Sequence, residues 1–247
     1  MSTVKKIFTL RYHTAIYITG TSQGLGKALA EVFLQDEGIL VIGISRNQNI
    51  EQEHYRHIKL DLSNEDSVFS FAFAIPQGVS KVILINNAGI IHPIGLAKAL
   101  PVDEALLRNY KVNVFAVHAM MLKFVQACPP SVEGQIINIS SGAGRYPVPG
   151  WSAYCASKSA VDALSAVFSA EHPEWKIWSL APGIIDTAMQ KQIRSVDEGI
   201  FPEVHRFIDY HERAELKSPR EIAEKIKELV GNPERVKDNI ISIRDFL

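Results

Sequence analysis

Residues 15–34 constrain the fold of this chain more than any other stretch. Ala15-Ile16-Tyr17-Ile18-Thr19 is a short apolar run that reads as a buried strand, and Lys27 to Leu34 carries apolar residues at helical spacing. Between them lies Gly20-Thr21-Ser22-Gln23-Gly24-Leu25-Gly26. A strand, a glycine-rich turn and a helix in that order make a cradle for an anion. The helix start offers N–H groups without intrahelical partners and the positive end of the dipole. Gly20 allows the tight turn, Gly24 lets backbone approach a pyrophosphate, and Gly26 packs the helix on the strand. The spacing is G-x-x-x-G-x-G rather than G-x-G-x-x-G. Three glycines in a turn also suit a purely structural role, but the flanking strand and helix favour the ligand-binding one.

Further strand patterns follow at Ile39 to Ile44, His57 to Leu62, Lys81 to Ile85, Gln135 to Ile139, Lys176 to Leu180 and Asn239 to Ile243. Helical patterns run from about Asp103 to Ala127 and from Ser152 to about Glu171, and another starts at Ser218 with Pro219 in its first turn. Polar residues gather where the strands end. Ser45 and Arg46 follow the second strand, where an acidic residue would bind a ribose 2′-hydroxyl and an arginine accommodates a 2′-phosphate. The expected cofactor is therefore NADP(H) rather than NAD(H). Asp61, at the end of the third strand, suits either an adenine amino group or the cap of the next helix. Asn87, Ala88 and Gly89 follow the fourth, small enough for backbone to approach a ligand. Asn113 sits among apolar residues of the long helix, where a buried amide needs partners.

The fifth strand runs into Ser140 and Ser141, then a Gly/Pro-rich loop, then a helix that carries Tyr154 and Lys158 at positions i and i+4. Ser141, Tyr154 and Lys158 can therefore converge. A phenol titrates near 10 and a neighbouring ammonium favours its anion, so Tyr154 is expected to exchange a proton near neutral pH. Ser141 would hydrogen-bond the same substrate oxygen as charge builds on it. Such a trio suits the interconversion of a carbonyl and an alcohol, although Y-x-x-x-K alone is also a common surface pair.

At 247 residues and 47% hydrophobic, the chain can bury a core without staples. A formal net charge of −1 offers no global field for nucleic acid or an anionic membrane. Two cysteines, Cys128 and Cys155, make no disulfide framework and fit a reducing compartment. No run approaches the ~20 apolar residues of a membrane span, and the N-terminus lacks a signal-peptide pattern. A cytoplasmic protein without a metal site is expected. Two broadly apolar helices, around Asn113 and from Ser152, point to a subunit interface as well as a sheet contact.

T-G-x-x-x-G-x-G from Thr19 to Gly26, N-N-A-G from Asn86, the helical Asn113, I-N-I-S-S from Ile137 to Ser141, Y-x-x-x-K from Tyr154 and P-G-x-x-x-T from Pro182 to Thr187 stand in one order. This set resembles the short-chain dehydrogenase/reductase family. The loops around Tyr154 and the run after Pro182 look like the sepiapterin reductase branch, closest to its bacterial benzil reductase relatives. The resemblance implies a single doubly wound Rossmann-type α/β domain over residues 1–247, with a parallel sheet of about seven strands. It also implies an N-terminal extension over 1–14 and a substrate loop over 186–217.

The family roles carry over by position. Tyr154 would be the general acid, Lys158 would lower its pKa and hold the nicotinamide ribose, Ser141 would orient the carbonyl, and Asn113 would support a proton path to Lys158. Gly20, Ser22, Gln23, Gly24, Leu25 and Gly26 would wrap the phosphates of NADP(H). Ser45 and Arg46 would hold the 2′-phosphate, Asp61 and Leu62 the adenine, and Asn87, Ala88 and Gly89 the adenosine ribose. Pro182, Gly183, Ile185 and Thr187 would flank the nicotinamide. Gln23 stands where many NADP(H)-dependent members carry a basic residue, and Asp186 is the one candidate for a pterin-anchoring carboxylate. The expected activity is reduction of a small ketone, aromatic α-dicarbonyls being plausible, by a homodimer or homotetramer. Trp151, Tyr146, Met189 and Phe201 are expected pocket walls. Sepiapterin reduction and a non-catalytic NADP(H)-binding sensor are the alternatives.

Overall fold

The protein is described here from a computed structural model covering residues 12–246. Seven strands form one sheet: β1 (Thr14–Thr19), β2 (Ile39–Ser45), β3 (Tyr55–Lys59), β4 (Lys81–Asn86), β5 (Glu133–Ile139), β6 (Lys176–Ala181) and β7 (Ile240–Ser242). All pair in parallel in the order β3-β2-β1-β4-β5-β6-β7. The helices are α1 (Gly24–Phe33), α2 (Glu65–Ser70), α3 (Glu104–Tyr110), α4 (Ala116–Ala127), α5 (Ser152–Glu171), α6 (Ala188–Arg194), α7 (Val204–Glu212) and α8 (Pro219–Gly231).

The inner strands β1, β2 and β4 read as continuous apolar runs because both faces are covered, whereas the edge strand β3 is buried only at Tyr55. Ile16 and Ile18 of β1, with Ile83 and Ile85 of β4 and Ile137 and Ile139 of β5, pack against α1 and α8. Their alternates, Ala15, Tyr17, Val82, Leu84 and Ile136, pack against α4 and α5. This is the period of two expected of a pleated strand. A third apolar cluster, centred on Trp151, Phe201 and Phe207, lies apart from both and joins α5 to α6 and α7.

Several expected boundaries shift. The third strand begins at Tyr55 and ends at Lys59, so Leu60, Asp61 and Leu62 form the loop beyond it. The long helix is not continuous: a π-helical turn, Lys111–Phe115, separates α3 from α4 and carries Asn113. Residues 186–217 hold α6 and α7, whose short length hid their period. Of the N-terminal extension, residues 1–11 lie outside the described part, and Thr14 already belongs to β1. Ser218 caps α8 by accepting from Glu221 N–H at 3.1 Å, with Pro219 as its first residue, as the sequence suggests. Among the described residues no helix is long and apolar enough to cross a membrane.

Phe124 on α4 is fully buried and meets Tyr17, Phe73 and Trp175 edge-to-face at 6.3, 5.2 and 5.9 Å. Phe124→Ala should therefore cost about 3–5 kcal/mol in urea unfolding. A loss under about 1 kcal/mol would mean that this side of the core is not packed as described.

Candidate active site

The strand order reverses between β1 and β4, and a parallel sheet gathers its ligands where that happens, beyond the carboxyl ends of the strands. A cleft of about 340 Å³ opens there. Gly20, Ser22, Gln23, Gly24, Leu25, Ser45, Arg46, Asp61, Leu62, Asn87, Ala88, Gly89, Pro182, Gly183, Ile185 and Thr187 line it, with Ser141, Tyr154 and Lys158. Gly26 and Asn113 stand behind the wall.

The turn after β1 is built for an anion. Gly20 has φ +77°, and a Cβ on Gly26 would lie 2.3 Å from Gly20 O, so α1 sits directly on the strand end. Gln23 occupies the cap position of α1 without a side-chain cap bond, and no acidic residue neutralises the first turn. The free N–H groups and the dipole end at Gly24 and Leu25 suit a pyrophosphate. Asn87 N–H and Ala88 N–H both donate to Thr19 Oγ1 at 3.0 Å, which locks the β4 loop to β1.

At the β2 and β3 ends, the Ser45 hydroxyl donates to Asn47 O at 2.8 Å and pairs with His57 Nε2 at 3.0 Å, so it is engaged within the protein. Asp61 Oδ1 accepts from Ser63 N–H and the Ser63 hydroxyl at 2.9 and 2.7 Å. The cap of α2 is Asn64, whose side chain accepts from Ser67 N–H, so capping does not explain Asp61. Partial burial raises the Asp61 carboxyl, but Ser63 and the charges of Arg46 and Arg108 outweigh it and hold the group below its ordinary value.

Ser141 lies two residues beyond β5, and its Oγ accepts from Ala143 N–H at 3.2 Å. Tyr154 and Lys158 share the buried face of α5. Lys158 Nζ donates to Ile139 O at 2.7 Å and lies 5.6 Å from the Tyr154 ring centre. Burial raises the phenol to about 12, with the neighbouring Ser141 hydroxyl pulling the other way. Burial lowers the Lys158 ammonium to about 8 against the pull of Asp162. The expected depression of Tyr154 by the lysine is not met: desolvation dominates and drives each group toward its neutral form.

Asp162, one turn further along α5, accepts from the Ser140 hydroxyl at 2.6 Å, from the Ser179 hydroxyl, and from Arg145 Nε at 3.3 Å. Arg145 also donates to Ile241 O at 2.9 Å, tying this buried charge to β7. Asn113 Oδ1 accepts from Ile90 N–H at 2.9 Å, while Nδ2 donates to Ile90 O at 2.8 Å and Asn109 Oδ1 at 3.1 Å. It pins the β4 loop through a π-helical turn, a feature common at functional sites.

Beyond Tyr154 the wall is mostly apolar, with the buried Gln190 amide, whose Oε1 has no partner among the described residues, set into it. Trp151 and Met189 line it as expected. Phe201 stacks behind Trp151 at 5.1 Å, and Tyr146 is 72% exposed and outside the cleft. Ile193 and Phe207 line the cleft instead; both come from the stretch whose periodicity was too weak to assign a face. Arg108 and Val112, one turn apart on the segment that leads to Asn113, also line it, and neither stands among the expected site residues. Asp186 is exposed and absent from the wall.

Residues 14–198 match the family model described as short chain dehydrogenase. The chain is 36% identical over 246 residues to benzil reductase ((S)-benzoin forming) of Bacillus cereus, covering 92% of this chain and 98% of that one. It is 26% identical over 242 residues to sepiapterin reductase of Bos taurus, covering 89% and 90%. A crystal structure of the KRED1-Pglu enzyme superposes with TM-score 0.74 at 26% identity, over 87% of this chain and 94% of that one.

Between about pH 8 and the ordinary lysine value of 10.5, the unfolded chain holds a proton on Lys158 that the folded protein has released. Stability contributed at this position therefore rises with pH across that window. In parallel denaturant titrations, wild type minus Lys158→Met should show this rise, and a difference flat from pH 8 to 10.5 would contradict the burial effect.

Proposed function

The chain belongs to the short-chain dehydrogenase family, and we propose that it is an NADPH-dependent carbonyl reductase acting on ketones of the aromatic α-dicarbonyl type, such as benzil. One observation carries the substrate class. The wall next to Tyr154 is formed by Trp151, Met189, Ile193 and Phe207 with the amide of Gln190 as its one polar member, and the sole carboxylate among the lining residues is Asp61, beyond β3. Such a pocket favours flat apolar substrates. Pterin reduction is less well supported, because Asp186 does not reach the cleft.

NADPH, when bound, supplies the hydride. Tyr154, kept protonated by burial at neutral pH, donates its proton to the substrate oxygen as charge builds there. Ser141 orients that oxygen beside the phenol. Lys158, fixed to the end of β5 through Ile139 O, holds the nicotinamide ribose and returns a proton toward Tyr154. We assign Asn113 to the path that resupplies it, through the backbone it fixes at Ile90. The phosphates go to the turn from Gly20 to Gly26, and the 2′-phosphate goes to Arg46, whose guanidinium lines the cleft without a hydrogen bond or ion pair among the described residues. Leu107 on α3, Leu122 on α4 and Val167 on α5 stand 45%, 42% and 53% exposed, which supports a homodimer or homotetramer built on these helices. The free thiols of Cys128 and Cys155 are consistent with the cytoplasm.

The test is NADPH oxidation with benzil, isatin, phenylpropanedione and sepiapterin. Benzil-type substrates should be consumed fastest, and silence from every carbonyl would favour a cofactor sensor instead. Tyr154→Phe should lower kcat by about 10²–10⁴ while leaving NADPH affinity within about twofold. Retained turnover in that variant would remove the phenol from the reaction.

A further inference from the structure

The two ends of the cleft differ in kind. Next to β5 lie Ser141, Tyr154 and the apolar wall; at the β2 and β3 edge lie Arg46, Asp61 and Leu62, and from α3 and the π-helical turn come Arg108 and Val112. Arg108 is exposed, and its guanidinium makes no hydrogen bond and no ion pair among the described residues. Its backbone is nonetheless held. The next residue, Asn109, is fully buried and donates to His92 O at 2.7 Å. An unpartnered, planar, permanently charged side chain on a fixed support at a ligand cleft is suited to a flat electron-rich ring or an anion.

Arg46 and Arg108 reach the cleft from different elements, and the charges of both act on Asp61. Asp61 already has Ser63 N–H and the Ser63 hydroxyl on Oδ1, which leaves Oδ2 without a protein hydrogen bond among the described residues. A carboxylate held ionised with one oxygen free accepts from an exocyclic amino group. Resting on the reading that the cleft binds NADP(H), we propose that Arg108 is a further binding residue for the adenine base: its guanidinium closes over the ring while Asp61 accepts the ring's amino group. Arg46 then serves the 2′-phosphate and Arg108 the base. The two arginines divide the adenosine end between them.

The division is testable by binding alone. NADPH, NADH and nicotinamide hypoxanthine dinucleotide phosphate, in which a carbonyl replaces the adenine amino group, are titrated against wild type, Arg46→Ala and Arg108→Ala by nucleotide fluorescence. Arg108→Ala should weaken NADPH and NADH by the same factor, about five- to thirtyfold, while keeping the preference for adenine over hypoxanthine, which rests on Asp61. Arg46→Ala should weaken NADPH far more than NADH. The thermal midpoint of Arg108→Ala should match that of wild type. Arg108→Ala binding NADPH and NADH like wild type would overturn the assignment, and so would a loss confined to NADPH, which would make Arg108 a second phosphate contact. Failure of wild type to bind any of the three nucleotides would instead remove the functional reading beneath it.

Discussion

A parallel sheet covered on both faces leaves little room for polar chemistry except at the ends of its strands. Here both coverings are complete enough that β1 is buried at every position. Most polar side chains in the interior then find a partner or lie where the chain leaves the sheet, although Gln135 within β5 is fully buried with neither amide atom hydrogen-bonded among the described residues. Asn86 and Asn138 take the first course, donating in series to Asn138 Oδ1 and Ser165 Oγ, each at 2.8 Å, and so stitch β4, β5 and α5 together. Ser45, Asn87 and Ser141 take the second. The reversal of strand order at β1 and β4 separates the loops on either side and leaves the cleft between them.

Burial that shapes the cleft also sets the charge of the groups in it. Tyr154 and Lys158 are both drawn from water by the same face of α5, and desolvation moves their titrations in opposite senses. A reductase benefits from a phenol that still has its proton to give. The buried Asp162 opposes the discharge of the lysine, and its three hydrogen-bonding partners reach from the end of β5, from β6 and from the loop before α5. The reactive pair is therefore coupled to the far edge of the sheet through Arg145 and Ile241 O.

The sheet and the phosphate turn were legible because they rest on local rules: apolar runs of strand length, glycines at fixed offsets, and a hydroxyl where a strand stops. The dinucleotide residues named from those rules line the cleft except Gly26, whose part is to let the helix approach. What the sequence hid depends on tertiary surroundings. Desolvation of Tyr154 comes from what is packed around α5, and no spacing of Tyr and Lys reveals it. The π-helical turn carries Asn113 to its bonds with Ile90, a partner remote in sequence. Phe207 lines the cleft where Phe201 was expected, because α7 is short and mixed in charge, so its inward side was not readable until Trp151 stood against it.

The third apolar cluster shares no residue with the two that hold the sheet. Selection can therefore recut the chamber above the phenol by changing α6, α7 and the layer behind Trp151, while the nucleotide cradle and the sheet are inherited unaltered. Phe201 is the lever for this: stacked on Trp151 behind the wall, it sets the seat of the indole without presenting any atom of its own to the cleft.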